Sequence, residues 1–289
     1  MCSKFVDNVK LFEYTSAAEP ASDRIKPEIF DFSKMEINSN SINDIYQSPI
    51  LKIKLINVSS KVECINSNAS SHVFYILNGT GTISFENENI NWESGDIISL
   101  PFYSKIVIES ISANIIWGND EALNDYLGVI PNKKRFCPTF YPNKMLLNFV
   151  RKINEEENAS TRNRNGVLLS NNQIANEKIN TLTHTMWSLL NVIGPNTFQK
   201  PHRHNSIAID LCLSAEDNQV YTLMGKELND DGSVKSPIKR YWKANSIFIT
   251  PPGWWHSHHN ESESEAWVFP IQDAGLHTHI NTLDIQFVN

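Results

Sequence analysis

Trp92-Glu-Ser-Gly-Asp-Ile-Ile-Ser-Leu-Pro101 returns 150 residues further on as Trp242-Lys-Ala-Asn-Ser-Ile-Phe-Ile-Thr-Pro251. In both copies a Trp leads through a turn into an apolar strand that stops at a proline. Trp92 and Trp242, Ile97 and Ile247, and Pro101 and Pro251 fall in step. Two unrelated β-hairpins could share this pattern by chance. The matched spacing of three residue types favours a duplicated β unit instead.

The sequence around each copy supports the duplication. Before and after Trp92 run short apolar segments such as ILKIKLINV, HVFYILNGTGTISF and ANIIWG. Around Trp242 lie TMWSLLNVI, SIAIDLCL, VYTLMG and EAWVFPI. Short runs punctuated by Gly, Asn, Asp and Ser read as antiparallel sandwich or barrel strands. Between the two sets, Met145, Leu146, Phe149, Val150 and Ile153 recur at helical spacing. The polar run EEENASTRNRNG that follows reads as an exposed loop. The expected layout is all-β with minor helices: an irregular arm over 1–45, a first barrel over 46–118, a helical connector over 119–180 and a second barrel over 181–289.

The histidines single out the second barrel. Of nine, seven lie beyond residue 200. In Pro201-His-Arg-His, the period of two along a strand aims His202 and His204 to one face and Arg203 to the other. An isolated HxH pair is usually surface decoration or a hydrogen-bonded core pair. Here the strand SIFIT ends in the turn PPGWW, which can bring His256 back as a third imidazole. Neutral imidazole suits Fe, Zn, Cu or Ni. Three such ligands on one face of an octahedral ion leave positions for substrate, water or O2. His258 shares the parity of His256 and is a candidate acid or base. His259 should face outward, and His277 and His279 have a structural reading. Trp187, Trp254, Trp255 and Tyr221 are candidates for the substrate pocket, with Asp210 and Tyr221 as proton carriers. No residue is assigned to an organic cofactor.

Composition narrows the class. Hydrophobic residues make up 40% and charged residues 20%, as in a folded globular protein. A net charge of −7 disfavours nucleic acid or an anionic membrane as the main partner. No apolar run approaches the roughly 20 residues of a membrane helix. Charges at Lys4, Asp7 and Lys10 break up the start, unlike a signal peptide. Cys2, Cys64, Cys137 and Cys212 are scattered, as expected of free thiols in a cytoplasmic protein.

HRHNSIAIDL and TPPGWWHSHHNE together resemble the cupin superfamily, whose two motifs begin with HxH and contain P-x-G-x-x-H. Within it they are similar to the bicupin gentisate and salicylate 1,2-dioxygenases, where comparable stretches read HRH and WHDHGNE. The resemblance implies two double-stranded β-helix (jelly-roll) barrels and Fe(II) held by His202, His204 and His256, with Mn, Ni or Zn as alternatives. It implies a small-molecule substrate and a homodimer or homotetramer. His258 would match the next active-site histidine.

Three departures shape the functional reading. Ala208 stands where general cupins carry an acidic ligand, which favours a three-histidine set. Asp210 stands where those dioxygenases tend to carry a carboxylate-binding arginine, so Arg203, Lys239 or Arg240 would have to replace it. The ligands lie in the second barrel, whereas many members keep them in the first. Aligning HVFYILNGTG with the cupin pattern leaves the first barrel without ligands: His72 reads as a core residue, and Asn66 and Asn68 occupy the HxH places. The leading expectation is a non-haem Fe(II) dioxygenase acting on a small aromatic or hydroxy-acid compound. The alternatives are a metal-dependent lyase, isomerase or decarboxylase, and a non-catalytic metal-binding cupin.

Overall fold

A computed structural model describes residues 24–35, 38–65, 67–159, 162, 164–175 and 179–288. The first 23 residues of the expected arm, and Asn66, lie outside the described residues.

The first half contains β1 (Ile29–Asp31), β2 (Ser41–Gln47), β3 (Lys52–Val58), β4 (Lys61–Ile65), β5 (Ser71–Asn78), β6 (Thr80–Phe85), β7 (Glu88–Glu93), β8 (Ile97–Pro101), β9 (Lys105–Glu109) and β10 (Ala113–Asn119). Between the halves lie α1 (Glu121–Leu127), β11 (Thr139–Tyr141), α2 (Asn143–Asn154), β12 (Asn165–Leu168) and α3 (Asn172–Ala175). The second half contains β13 (Trp187–Ile193), β14 (Thr197–Phe198), β15 (His202–His204), β16 (Ala208–Ser214), β17 (Val220–Gly225), β18 (Ile238–Tyr241), β19 (Ser246–Thr250), β20 (Trp255–Asn260), β21 (Ala266–Gln272), α4 (Ala274–His279) and β22 (Ile285–Phe287).

These strands form four sheets. The inner sheet of the first half runs β11-β8-β5-β10-β3-β2 and that of the second runs β1-β19-β16-β21-β13-β12. The order is the same in both, strand for strand. The outer sheets, β4-β9-β6-β7 and β15-β20-β17-β18 with β22 added beside β15, match in the same way. Trp92 and Trp242 are both buried at equivalent points. The sequence echo therefore marks a true structural repeat, and the all-β, two-barrel class holds.

The inner sheets pack face to face. Ile53, Leu55, Val73 and Ile116 from the first meet Leu190, Ile209, Leu211, Ile249, Phe269 and Ile271 from the second in one continuous core. Their central strands β5, β8, β16 and β19 are buried on both faces, which explains runs that are apolar throughout rather than alternating. Truncating a fully buried aromatic there, such as Phe269, to Ala would cost about 3–5 kcal/mol. A polar knot reinforces the seam. The buried Asp120 carboxylate accepts from the backbone N–H of Ser70 (2.7 Å) and Ser71 (3.1 Å) and from Thr185 Oγ1 across the seam (3.1 Å).

Two short segments depart from the expected layout. Ile29–Asp31 of the arm pairs with β19 of the second half, and Ser41–Gln47 pairs with β3 of the first. Both are edge strands, held by backbone hydrogen bonds, so their sequences carry little apolar alternation. The segment between the halves carries α1, α2 and α3 and also supplies β11 and β12, one edge strand to each inner sheet.

The repeat also shows what fills the first barrel. His202 pairs with His256 on β15 and β20, and the equivalent pair on β4 and β9 is Cys64 with Ile106. Both are buried among Val62, Ile108, Phe74 and Trp117. His72 is fully buried there, and its Nδ1 accepts from Trp117 Nε1 at 3.2 Å.

Candidate metal centre

The barrel of the second half brings three histidines together. His202 and His204 alternate along β15 with Arg203 between them, so both imidazoles turn inward and are buried. The turn Pro251–Trp254 returns the chain to β20. Gly253 holds φ at +78°, a left-handed conformation that a side chain disfavours. Its N–H donates to the carbonyl of His204 at 2.7 Å, which fastens the turn to the HxH strand. His256 then pairs directly opposite His202.

One nitrogen from each of the three rings lies within 4.8 Å of the others, and all three residues are buried. Two of the rings are set for a cation. His204 Nδ1–H donates to the Ser206 carbonyl (2.8 Å) and His256 Nδ1–H to the Trp254 carbonyl (3.0 Å). A carbonyl can only accept, so each Nε2 keeps its lone pair for a ligand. His204 Nε2 is buried and makes no hydrogen bond. An orphaned acceptor of this kind is costly in a folded interior unless something binds it. Burial holds the imidazoles uncharged, pushing His204 down to about 4 and His202 and His256 well below the usual histidine value. Neutral imidazole is the form that coordinates metals. The donor set fits a divalent transition metal ion.

A cavity of about 180 Å³ opens beside these rings. It is smaller than the roughly 300–1,000 Å³ of drug-sized ligand pockets, so a compact ligand fits it best. Its wall includes His258, Asp210, Trp187 and Arg164. His258 is buried, with Nδ1 2.8 Å from Thr222 Oγ1, which in turn accepts from Trp242 Nε1 at 2.8 Å. Burial also keeps His258 uncharged. Asp210 lies on β16 and accepts from Thr250 Oγ1 at 3.2 Å. Burial pushes its carboxyl up to about 7, against the opposing pull of Thr250 and the Arg164 charge.

Arg164 has no direct signal in the sequence because it lies near the end of the polar run EEENASTRNRNG, which reads as an exposed loop. In the fold, that run leads into β12 at the edge of the inner sheet, and the guanidinium turns into the cavity. Its Nη2 lies 2.5 Å from Nδ1 and 2.8 Å from Nε2 of His202, and its Nη1 donates to Gln199 Oε1 at 3.1 Å. Burial pushes the guanidinium down to about 10, so it stays cationic at neutral pH. The one sequence signal was indirect: a buried Asp210 calls for a positive partner.

Several expected pocket residues lie elsewhere. Tyr221 sits on the outer face of β17, because the inward position goes to Thr222. Its hydroxyl donates to Glu261 at 2.5 Å and its ring stacks on His259. Trp255 is the neighbour of His256 on β20, so it faces outward, under the Arg203 guanidinium at 5.5 Å. Arg203 also donates to Gln286 Oε1 at 3.1 Å. Trp254 packs in the turn with Met224 and Trp242 rather than at the cavity. The candidate replacements for the missing arginine are outside too: Lys239 lies 3.4 Å over the Tyr221 ring, and Arg240 donates to the Pro27 carbonyl. Trp187 and Asp210 remain at the cavity. His277 and His279 belong to α4 and are not members of the three-histidine group. Among the described residues, no helix is long and apolar enough to cross a membrane.

No family model matches the sequence, and no curated protein matches it either. Solved structures do match. A salicylate 1,2-dioxygenase from Pseudaminobacter salicylatoxidans superposes with a TM-score of 0.74 at 10% identity, covering 96% of this chain and 92% of its own. A variant of the salicylate 1,2-dioxygenase from Pseudoaminobacter salicylatoxidans in complex with gentisate gives 0.71 at 9% identity over 91% and 85%. A cupin 2 conserved barrel domain protein from Leptotrichia buccalis gives 0.53 at 12% identity over 86% and 97%. At such identities the likeness speaks for the fold. In fold, this chain is similar to the salicylate 1,2-dioxygenase and to the cupin barrel domain protein.

Proposed function

We propose that the chain is a metal-dependent dioxygenase acting on a small aromatic or hydroxy acid, with Fe(II) held by His202, His204 and His256. The observation that carries this reading is the buried three-histidine group, in which His204 and His256 turn their Nδ1–H bonds to backbone carbonyls. Iron, when bound, would supply the redox chemistry that lets O2 react with a bound substrate.

The chain's own residues have separable roles. Arg164 replaces the missing motif arginine and holds the substrate carboxylate by a charge-assisted pair. Trp187 supplies an apolar wall against the substrate's carbon frame. Asp210, with a carboxyl near neutrality, takes the proton released when a substrate hydroxyl ionises. His258 is uncharged and faces the same cavity, so it can receive or return a proton there. The apolar lining keeps bulk water away from the reacting atoms.

A second reading follows from Asp210. A carboxyl poised near 7 inside the cavity also suits a proton-transfer reaction in which the metal acts only as a Lewis acid, as in a lyase, isomerase or decarboxylase. An oxygen-electrode screen of hydroxybenzoates and hydroxy acids separates the two. The dioxygenase reading expects substrate-dependent O2 uptake with iron. The second expects turnover under nitrogen with zinc or manganese in place of iron.

Assembly into a dimer or tetramer belongs to the same proposal. Tyr126, Leu127, Val129 and Ile130 expose a run of large apolar side chains that would favour it.

A further inference from the structure

Among the described residues, the last strand, β22, has no counterpart in the first half. It pairs with β15, the strand that carries two of the three histidines. The register sets Phe287 opposite His202 and Ile285 opposite His204. Directly paired residues on antiparallel strands project to the same side. Ile285 and Phe287 therefore join the histidines in lining the cavity, while Gln286 projects outward to Arg203. The Phe287 ring lies nearly parallel to that of His202, with centroids 5.7 Å apart and planes 14° apart.

Both side chains are also half-open, Ile285 at 45% and Phe287 at 55% exposure. A residue that lines a cavity and still meets solvent stands at its mouth. The strand itself is firmly tied. Val288 N–H donates to the Pro201 carbonyl at 3.1 Å, Asp284 N–H to Asn205 Oδ1 at 2.9 Å, and Asn205 Nδ2 to the Thr282 carbonyl at 2.9 Å. The rim is thus a fixed wall of two apolar side chains rather than a loose loop.

We propose that Ile285 and Phe287 set the size and shape of the acid that reaches the metal: a planar single-ring acid slides against Phe287, and a fused two-ring acid is turned away. This rests on the substrate class given under the proposed function. The cavity of about 180 Å³ is compact, and the rim residues stand beside two of the metal-facing imidazoles, where the second ring of a larger acid would have to pass. Removing the Phe287 side chain adds space at that point alone.

The test compares salicylate with 1-hydroxy-2-naphthoate by calorimetric titration of the zinc-loaded full-length protein, in wild type, Phe287→Ala and Ile285→Ala. Both variants alter half-exposed side chains and leave the backbone ties of β22 in place. The expected result is preference for salicylate in wild type and a shift of the affinity ratio towards the two-ring acid by about tenfold or more in Phe287→Ala, the scale on which an apolar pocket discriminates size. Ile285→Ala should move the ratio in the same direction by less. Salicylate binding with an unchanged ratio in both variants overturns the rim proposal and leaves the substrate class standing. Failure of every protein to bind either acid overturns the substrate class and the rim proposal with it.

Discussion

His202 and His256 face each other across the β15–β20 pair, with ring centroids 3.9 Å apart. One comes from an HxH strand and the other from a strand entered by a turn that begins 47 residues after His204. Their meeting depends on the register of one antiparallel pair, and Gly253 N–H to the His204 carbonyl secures it. Cys64 and Ile106 meet at the equivalent point of the first barrel. One half of the duplicated fold thus offers nitrogen donors where the other offers apolar packing.

Arg164 should govern acid binding without governing metal content. Arg164→Gln removes the cation and keeps a polar side chain. Hydrogen bonds to charged groups contribute about 1.5–3 kcal/mol, so salicylate affinity should drop by roughly ten- to a hundredfold. Calorimetry alongside elemental analysis checks this. Unchanged salicylate affinity in Arg164→Gln would remove Arg164 from the proposed site.

Much of this was legible in the sequence, for physical reasons. The repeated Trp-to-Pro unit gave away the duplication because a buried Trp and a strand-ending proline are needed in each barrel. The parity of His202 and His204 could be read because a strand has a fixed period of two. The same rule excludes Trp255, which adjoins the inward His256. Tyr221 was harder, since VYTLMG contains no residue that anchors its parity and Thr222 takes the inward place. Arg164 was invisible because a polar run has no periodicity to say which of its members turns inward. The crossing of β1 to the second barrel was also hidden, because edge pairing runs through the backbone.

Protein without bound metal should lose stability on acidification. His72, His202, His204, His256 and His258 all have folded-state values pushed below the usual 6.5, chiefly by burial. Such groups bind more protons when unfolded, so their contribution is complete above about 6.5 and shrinks as pH falls towards 4. Asp210 and Asp273, pushed up to about 7, act in the opposite sense over about 4 to 7. The histidines outnumber them, so denaturant-unfolding midpoints should fall between pH 6.5 and 4.5. His72→Gln, remote from the metal ligands, should make that fall shallower. A slope identical to wild type would show that His72 is not held neutral by burial.

Tyr221 and Trp255 belong to the outer face, so altering them should leave the site intact. Tyr221→Phe removes one hydrogen bond, to Glu261, at a cost of about 1 kcal/mol. Metal content and salicylate affinity should match wild type in Tyr221→Phe and in Trp255→Phe. A tenfold loss of affinity in either would return that residue to the cavity.

His202, His204 and His256 together should hold a metal ion. Elemental analysis of anaerobically purified wild type and His256→Ala, each reconstituted with ferrous iron and desalted, tests it most directly. Wild type should hold about one iron per chain and His256→Ala almost none, with both proteins folded by circular dichroism. Equal iron in the two proteins, or none in wild type, would contradict it.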